Sequence, residues 1–266
     1  MRTSLRLVLL SIIVGCGGGG AAPIDAGSDA TDATAASPDA GVDMLPVPGG
    51  TFTMGCTDPA PFVCPADELP THQVTVAPFL LDRTEVTQSA YQRCMDAGAC
   101  AAPMTRFDPI ARAQYPVSDI SWTQADAYCR WRGARLPTEA EWELAARGTD
   151  GRLYPWGNTP ADCTRANSVG CNATEAQPVA THPAGAGPFG HQDLGGNLWE
   201  WLSDWYDPAY YGVSPTQDPT GPGASVTGDR VKRGGSWADD RTRAADRWHH
   251  PVDMWGSYDI GVRCAR

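Results

Sequence analysis

No stretch of this chain is apolar for long enough to cross a bilayer as a helix. The best candidate, Leu7 to Val14, falls far short of the roughly 20 residues a span needs. Positive charge is scarce, with 20 Lys and Arg against 31 Asp and Glu for a net charge of −11. That balance excludes nucleic acid as a partner, because phosphate binding needs a basic surface, and it excludes an electrostatic grip on anionic lipid. The nine cysteines include no Cys-x-x-Cys pair, and the adjacent His249 and His250 have no spaced partner, so a structural zinc site is not expected. No internal repeat is evident. Gly17 to Asp43 holds almost no large apolar residue and cannot bury enough surface to offset the entropy of ordering, which makes it a flexible, acidic tether.

What is present begins with a targeting segment. Arg2 and Arg6 form a positive start, the short apolar run follows, and Ile13-Val14-Gly15-Cys16 resembles a bacterial lipobox in which Cys16 is lipidated. An ordinary secretory signal with an incidental cysteine is the alternative. The chain then divides into a signal peptide (1–15), a lipidated Cys16 with its tether (16–43) and a folded domain (44–266). The expected location is the cell envelope, periplasm or outer membrane, with the Cys16 lipid as the sole membrane contact. Loss of Arg2 and Arg6 with the signal takes the charge from −11 to about −13. Setting Cys16 aside leaves eight cysteines, an even number in a compartment that permits disulfides. Spacing suggests local pairs Cys56–Cys64, Cys94–Cys100 and Cys163–Cys171, leaving Cys129 and Cys264, although eight cysteines allow 105 connectivities.

About 220 residues remain for one sizeable domain. Ten tryptophans, 29 glycines and 23 prolines point to a loop-rich fold held by aromatic packing rather than by long helices. Met44 to Gly55 reads as a turn and a strand; Val74, Val76 and Phe79 to Leu81 suggest another. Thr87 is a plausible cap for a helix of about ten residues that stops at Gly98. A second helix is expected from a cap at Thr123 to Arg132, ended by Gly133. A third opens on the capping box Thr138-Glu139-Ala140-Glu141 and stops near Gly148, with Trp142, Leu144 and Ala145 facing the core.

Eight blocks occur in order: Phe52-Thr53-Met54-Gly55, Glu85-Val86-Thr87, Pro116-Val117-Ser118, Arg135-Leu136-Pro137-Thr138-Glu139-Ala140-Glu141-Trp142-Glu143, Tyr154-Pro155-Trp156-Gly157-Asn158, Gly196-Asn197-Leu198-Trp199-Glu200-Trp201, Arg233-Gly234-Gly235-Ser236-Trp237 and Gly261-Val262-Arg263. Together they resemble the formylglycine-generating enzyme (sulfatase-modifying factor) family over nearly all of Met44 to Arg266. The resemblance implies a single compact, loop-rich α+β domain related to C-type lectins. It also implies a disulfide between Cys129 and Cys264. In the family's oxidases two cysteines, three and eight residues beyond the serine of Gly-Gly-Ser, bind copper(I) and activate oxygen to convert a substrate cysteine into formylglycine. Those positions here are Asp239 and Ala244. Thiolates are soft ligands suited to copper(I), whereas a carboxylate is a hard donor and a methyl group is none, so copper-thiolate oxidase activity is not expected. The resemblance further implies calcium held by side-chain oxygens of Asp193 and Glu200 and the carbonyls of Gly196 and Leu198, a sensible set for a hard cation. The alternative is that the two carboxylates bond loop amides. In a second family calcium site Asn167 has its counterpart, but the usual acid falls at Cys171, which disfavours that site.

The catalytic candidates are Ser236, which could hydrogen-bond a ligand or simply close a turn, and Asp239. The run from Asp239 through Asp240, Arg241, Arg243, Asp246, Arg247 and Trp248 to His249 and His250 reads as a self-satisfied ion-pair network, or else as a recognition groove. Adjacent histidines do not suit an iron facial triad. Trp156, Trp199, Trp201, Trp205, Trp237 and Trp255 are expected mostly in the core. Two function classes follow. One is an envelope-anchored module binding a peptide, glycan or protein partner. The other is a divergent family enzyme that modifies an exported protein or peptide without the cysteine pair. A purely structural lipoprotein is a minor third.

Overall fold

The computed structural model describes residues 43–252 and 256–266. The signal segment, Cys16, the tether up to residue 42 and Trp255 lie outside the described residues. No described helix is long and apolar enough to cross a membrane.

The domain opens with two antiparallel strand pairs: β1 (Met44–Val47) with β4 (Phe79–Asp82), and β2 (Gly50–Met54) with β3 (His72–Val76). Alternation works as the sequence suggests. Phe52 and Met54 point inward opposite Val74 and His72, while the intervening threonines face outward or to the rim. Three short helices follow. α1 (Gln88–Asp96) is capped by Thr87, whose hydroxyl accepts the Ala90 N–H at 3.2 Å. α2 (Trp122–Trp131) is capped by Ser121 and not by Thr123, because Gln124 three residues on returns its side chain to the Ser121 N–H at 2.8 Å. Thr123 lies inside the first turn; its own spacing to an acid imitated the same box. α3 (Glu139–Arg147) opens on the reciprocal Thr138–Glu141 box.

The remaining strands form one four-stranded sheet in the order β7 (Arg247–Pro251), β6 (Asp229–Arg233), β5 (Trp199–Trp205), β8 (Ile260–Gly261), with β5 and β8 parallel. Tyr91 of α1, Tyr128 of α2 and Ile120 just before α2 cluster with Trp199, Trp201 and Val262; α3 lies between this sheet and the strand pairs. Every residue of α3 is buried, including three glutamates and Arg147. Burial of charge is tolerable only with partners, and these are supplied across the fold. Arg233 and Arg247 reach Glu139 at 3.2 and 2.8 Å, Arg233 also bonds Glu143, and Arg132 forks onto Asp82 at 2.7 and 3.0 Å. Four disulfides close: Cys56–Cys64, Cys94–Cys100, Cys163–Cys171 and, across 135 residues, Cys129–Cys264. Such a set belongs to an oxidising, exported environment.

Two outcomes follow from this packing. Asp204 accepts from the Glu139 N–H and the Ser203 hydroxyl, and burial, reinforced by the charge of Glu139, raises its pKa to about 7. A carboxyl whose folded pKa exceeds its unfolded value gives stability that is full below the unfolded pKa and is lost as pH rises through the folded one. The Asp204 contribution to stability therefore declines from about pH 4 to pH 7, and Asp204→Asn should flatten that slope in urea titrations. Replacing Cys129 and Cys264 together by alanine should lower unfolding free energy by about 2–5 kcal/mol, read from denaturant midpoints.

Candidate functional site

β6 runs into Gly234-Gly235-Ser236, and the backbone reverses there. Gly235 has φ +72°, and a Cβ on it would stand 1.5 Å from the Arg241 carbonyl oxygen, so no side chain fits. The reversal lays the loop 236–241 against Trp199 of β5. Asp239 is locked in place by four donors: Trp199 Nε1 at 2.7 Å and the Ser236 hydroxyl at 3.0 Å on one oxygen, the Arg241 and Ser236 amides at 3.0 and 3.2 Å on the other. The Ser236 hydroxyl accepts the Ala238 N–H at 3.2 Å and lies 3.4 Å from Asp259 Oδ2. Ser236 and Asp239 are thus hydrogen-bonded to one another. Ala244 is elsewhere in character: fully buried, it packs in a core cluster with Trp142, Leu194, Leu202 and Val231.

Two residues at this site carry no flag in the sequence reading. Lys232 is buried on β6 with its ammonium 4.8 Å from the Trp199 ring centre, and burial, against the pull of Asp259 and Asp239, lowers its pKa to about 8. Asp259 sits just before β8 with Oδ1 buried and unpartnered, and the Trp237 Nε1 is likewise buried without a partner. Only a lysine inside a strand and an acid beside the closing Ile260-Gly261-Val262 block could have pointed to them, and neither pattern is specific.

The copper set does not fit. All eight cysteines of the described residues are in disulfides, Asp239 is a hard donor already holding four N–H and O–H groups, and Ala244 has no donor. The residues of the calcium set are engaged by protein donors in this structure. Glu200 is fully buried and accepts Arg263 Nε at 2.7 Å and Nη2 at 2.6 Å, with Trp142 Nε1 at 2.7 Å. Oε2 accepts two of these bonds and Oε1 one, with the guanidinium lying alongside. Asp193 accepts the Ala180 amide at 2.6 Å; burial raises its pKa and that of the neighbouring Glu85. Glu200 is thus met by a guanidinium and an indole N–H and Asp193 by a loop amide, while Glu85 Oε2 and Asn167 Oδ1 nearby are buried without a protein partner. Among the described residues no group of three or more His, Cys, Asp or Glu is arranged to hold a metal. Asn167 donates to the Glu175 carbonyl and to Asn197, and Cys171 is in its disulfide.

The charged run after Ser236 is largely self-satisfied, but through distant partners. Arg243 binds Asp58, Glu68 and Asp246; Arg247 binds Glu139. His249 Nδ1 lies 2.7 Å from Asp229, while His250 Nδ1 faces the Pro251 carbonyl; consecutive strand residues point to opposite faces and cannot chelate one ion. Of the tryptophans, Trp199 and Trp201 are core, whereas Trp156, Trp205 and Trp237 are only partly buried.

The profile of the sulfatase-modifying factor enzyme 1-like domain matches residues 30–266. The chain is 36% identical over 225 residues to the formylglycine-generating enzyme of Streptomyces coelicolor, covering 64% of this chain and 71% of that one. It is 32% identical over 200 residues to the hercynine oxygenase of Mycolicibacterium smegmatis, covering 62% of this chain but 46% of the relative. Among solved structures, PvdO from Pseudomonas aeruginosa superposes with a TM-score of 0.69 at 26% identity, over 84% of this chain and 93% of that chain.

If Glu200 serves Arg263 and no cation, Glu200→Gln should destabilise the protein by about 3–5 kcal/mol, the cost of leaving a buried guanidinium unpaired. The loss should be the same in calcium and in chelator, as read from chemical denaturation.

Proposed function

The chain belongs to the sulfatase-modifying factor family, and from that premise we propose that it is an exported recognition domain, tethered to the cell envelope through a Cys16 lipid, that binds a peptide, glycan or protein partner. One observation carries this reading. The two positions that hold thiols in the family's oxidases are built into the fold as structural residues, Asp239 as the acceptor that fastens the 236–241 loop to Trp199, and Ala244 as core. Around that loop lie partly exposed aromatic and cationic groups suited to recognition. Trp248 is 42% and Tyr258 47% exposed, with Arg241 4.3 Å over the Trp248 ring and Arg106 5.5 Å over Tyr258. Aromatic surfaces of this kind bury large areas at small entropic cost.

A second reading is favoured by Lys232. A buried amine with its pKa lowered to about 8, beside Ser236, Asp239 and the unpartnered Asp259 oxygen, is the kind of group an enzyme uses for acid–base work without cysteines. The relative called a hercynine oxygenase fits a family in which more than one chemistry occurs.

One experiment separates these. The full chain, with and without copper, is incubated with a cysteine-containing sulfatase-motif peptide and the products are read by mass spectrometry. Recognition without oxidase chemistry predicts no formylglycine in either arm. Conversion that requires copper overturns the proposal. Conversion that persists without copper and is lost in Lys232→Met replaces it with the enzymatic reading.

A further inference from the structure

A well-formed cavity at the surface of the described residues has no part in the Ser236–Asp239 cluster. It measures about 680 Å³ and lies between α2, the Val76–Phe79 turn, the Arg135–Thr138 segment, Ser203 of β5 and Arg230 of β6. Pockets of roughly 300–1,000 Å³ are the size that enclose small ligands. One wall is a single face of α2, where Trp122, Asp126 and Arg130 recur at four-residue spacing. The facing wall is apolar, from Val76, Pro78, Phe79 and Leu136.

The charges that line it are paired, with one exception. Arg130 holds Asp126 at 2.7 Å, and Arg135 forks onto Glu141 with both contacts at 2.6 Å. Asp218 accepts the Ala77 amide and the Gln217 side chain, each at 2.7 Å. Arg230 is the exception. Its guanidinium carbon stands 3.9 Å from the Trp122 ring centre and 3.4 Å from that of Trp205, so indoles cover both faces. One Nη1–H goes to the Ser203 carbonyl, Nε has no partner, and among the described residues it forms no ion pair. Burial without a counter-charge holds its pKa below the usual arginine value, with only partial relief from Asp204 and Asp126. A guanidinium clamped between rings is a rigid fork, and little conformational freedom remains to be lost when it takes a planar two-oxygen anion.

We propose that this cavity binds a small organic carboxylate, with Arg230 pairing the carboxylate and the Val76–Phe79 wall burying its hydrocarbon body. One free guanidinium matches one negative charge. The carboxylates of Asp126 and Asp218 on the walls oppose a second, which selects against phosphate dianions. The apolar wall selects against a bare inorganic ion. In a chain of net charge −11 an anion needs a local positive charge, and Arg230 supplies it where Arg130 and Arg135 on the same walls are neutralised by Asp126 and Glu141.

The test is titration calorimetry on the full chain with three probes: cyclohexanecarboxylate, its neutral counterpart cyclohexylmethanol, and inorganic phosphate. The carboxylate should bind with one-to-one stoichiometry, at least about tenfold tighter than the alcohol or phosphate, a difference of about 1.4 kcal/mol. Arg230→Gln should weaken the carboxylate at least about tenfold and leave the alcohol unchanged, and Arg230→Lys, keeping charge without the fork, should fall between. Thr220→Trp, at an exposed lining position, should block both organic probes without touching the Trp122–Arg230–Trp205 stack. Equal binding of acid and alcohol, binding indifferent to Arg230→Gln, or no heat from millimolar carboxylate would each overturn the proposal. Should Arg230→Gln fail to fold, the acid-to-alcohol ratio and the Thr220→Trp result decide alone. The outcome is independent of the formylglycine assay, since neither Ser236 nor Asp239 lines this cavity.

Discussion

The fold rests on arginines placed where no water can reach them. Arg147, Arg233, Arg247 and Arg263 are among the largest fully buried side chains of the domain, and each is met by a glutamate or by main-chain carbonyls. Arg233 alone gathers Glu139, Glu143 and the carbonyls of Ala244, Ala245 and Asp246. Arg263 bonds Glu200 and the carbonyls of Asp82, Arg83 and Gln192. A domain with short helices and small sheets has few long ladders to define its core. Guanidinium groups, each with five donors in a fixed plane, do that work by fastening loops to α3 and β5. Net stability need not come from the ion pairs, because desolvation offsets much of the attraction. What they impose is arrangement, since any register that separates a guanidinium from its carboxylate leaves a buried charge alone.

That constraint explains what the sequence made legible and what it hid. The cap at Thr138 and the β2 alternation were readable because a few adjacent residues decide them. The same locality misled at α2, where Thr123 and Ser121 both carry the required spacing and only the structure shows which hydroxyl is used. Family blocks marked Glu200 and Arg263, but nothing local joins residues 63 apart in sequence, so the guanidinium that meets the carboxylate could not be read from either block. Lys232 and Asp259 were hidden for the same reason. Each is unremarkable in its own segment and acquires meaning only when β6 and the segment before β8 bring them near Ser236. The Trp122–Arg230–Trp205 stack joins a helix to two strands and has no sequence signature at all.

The lattice also separates the family's scaffold from the family's reaction. Arg233 ends the strand that leads into Gly234-Gly235-Ser236, so the lattice fixes where the site loop begins whatever residues the loop then carries. Gly235 fixes how it turns, because only hydrogen fits against the Arg241 carbonyl. Neither constraint refers to thiols.

With position and turn set by Arg233 and Gly235, the residue three beyond Ser236 has one remaining obligation: to satisfy the donors that the turn aims at it. These are the Trp199 indole N–H, the Ser236 hydroxyl and two backbone amides. A carboxylate, with about four lone-pair sites and a negative charge, meets all four better than a thiolate, which is a poor acceptor. A cysteine there would keep the loop less firmly but remain available to a soft metal. Aspartate keeps it firmly and is no longer available. An aspartate at this position therefore satisfies the turn without asking the rest of the fold to change. Ala244 asks as little, since a side chain no larger than a methyl lets Trp142, Leu202 and Val231 close over the place.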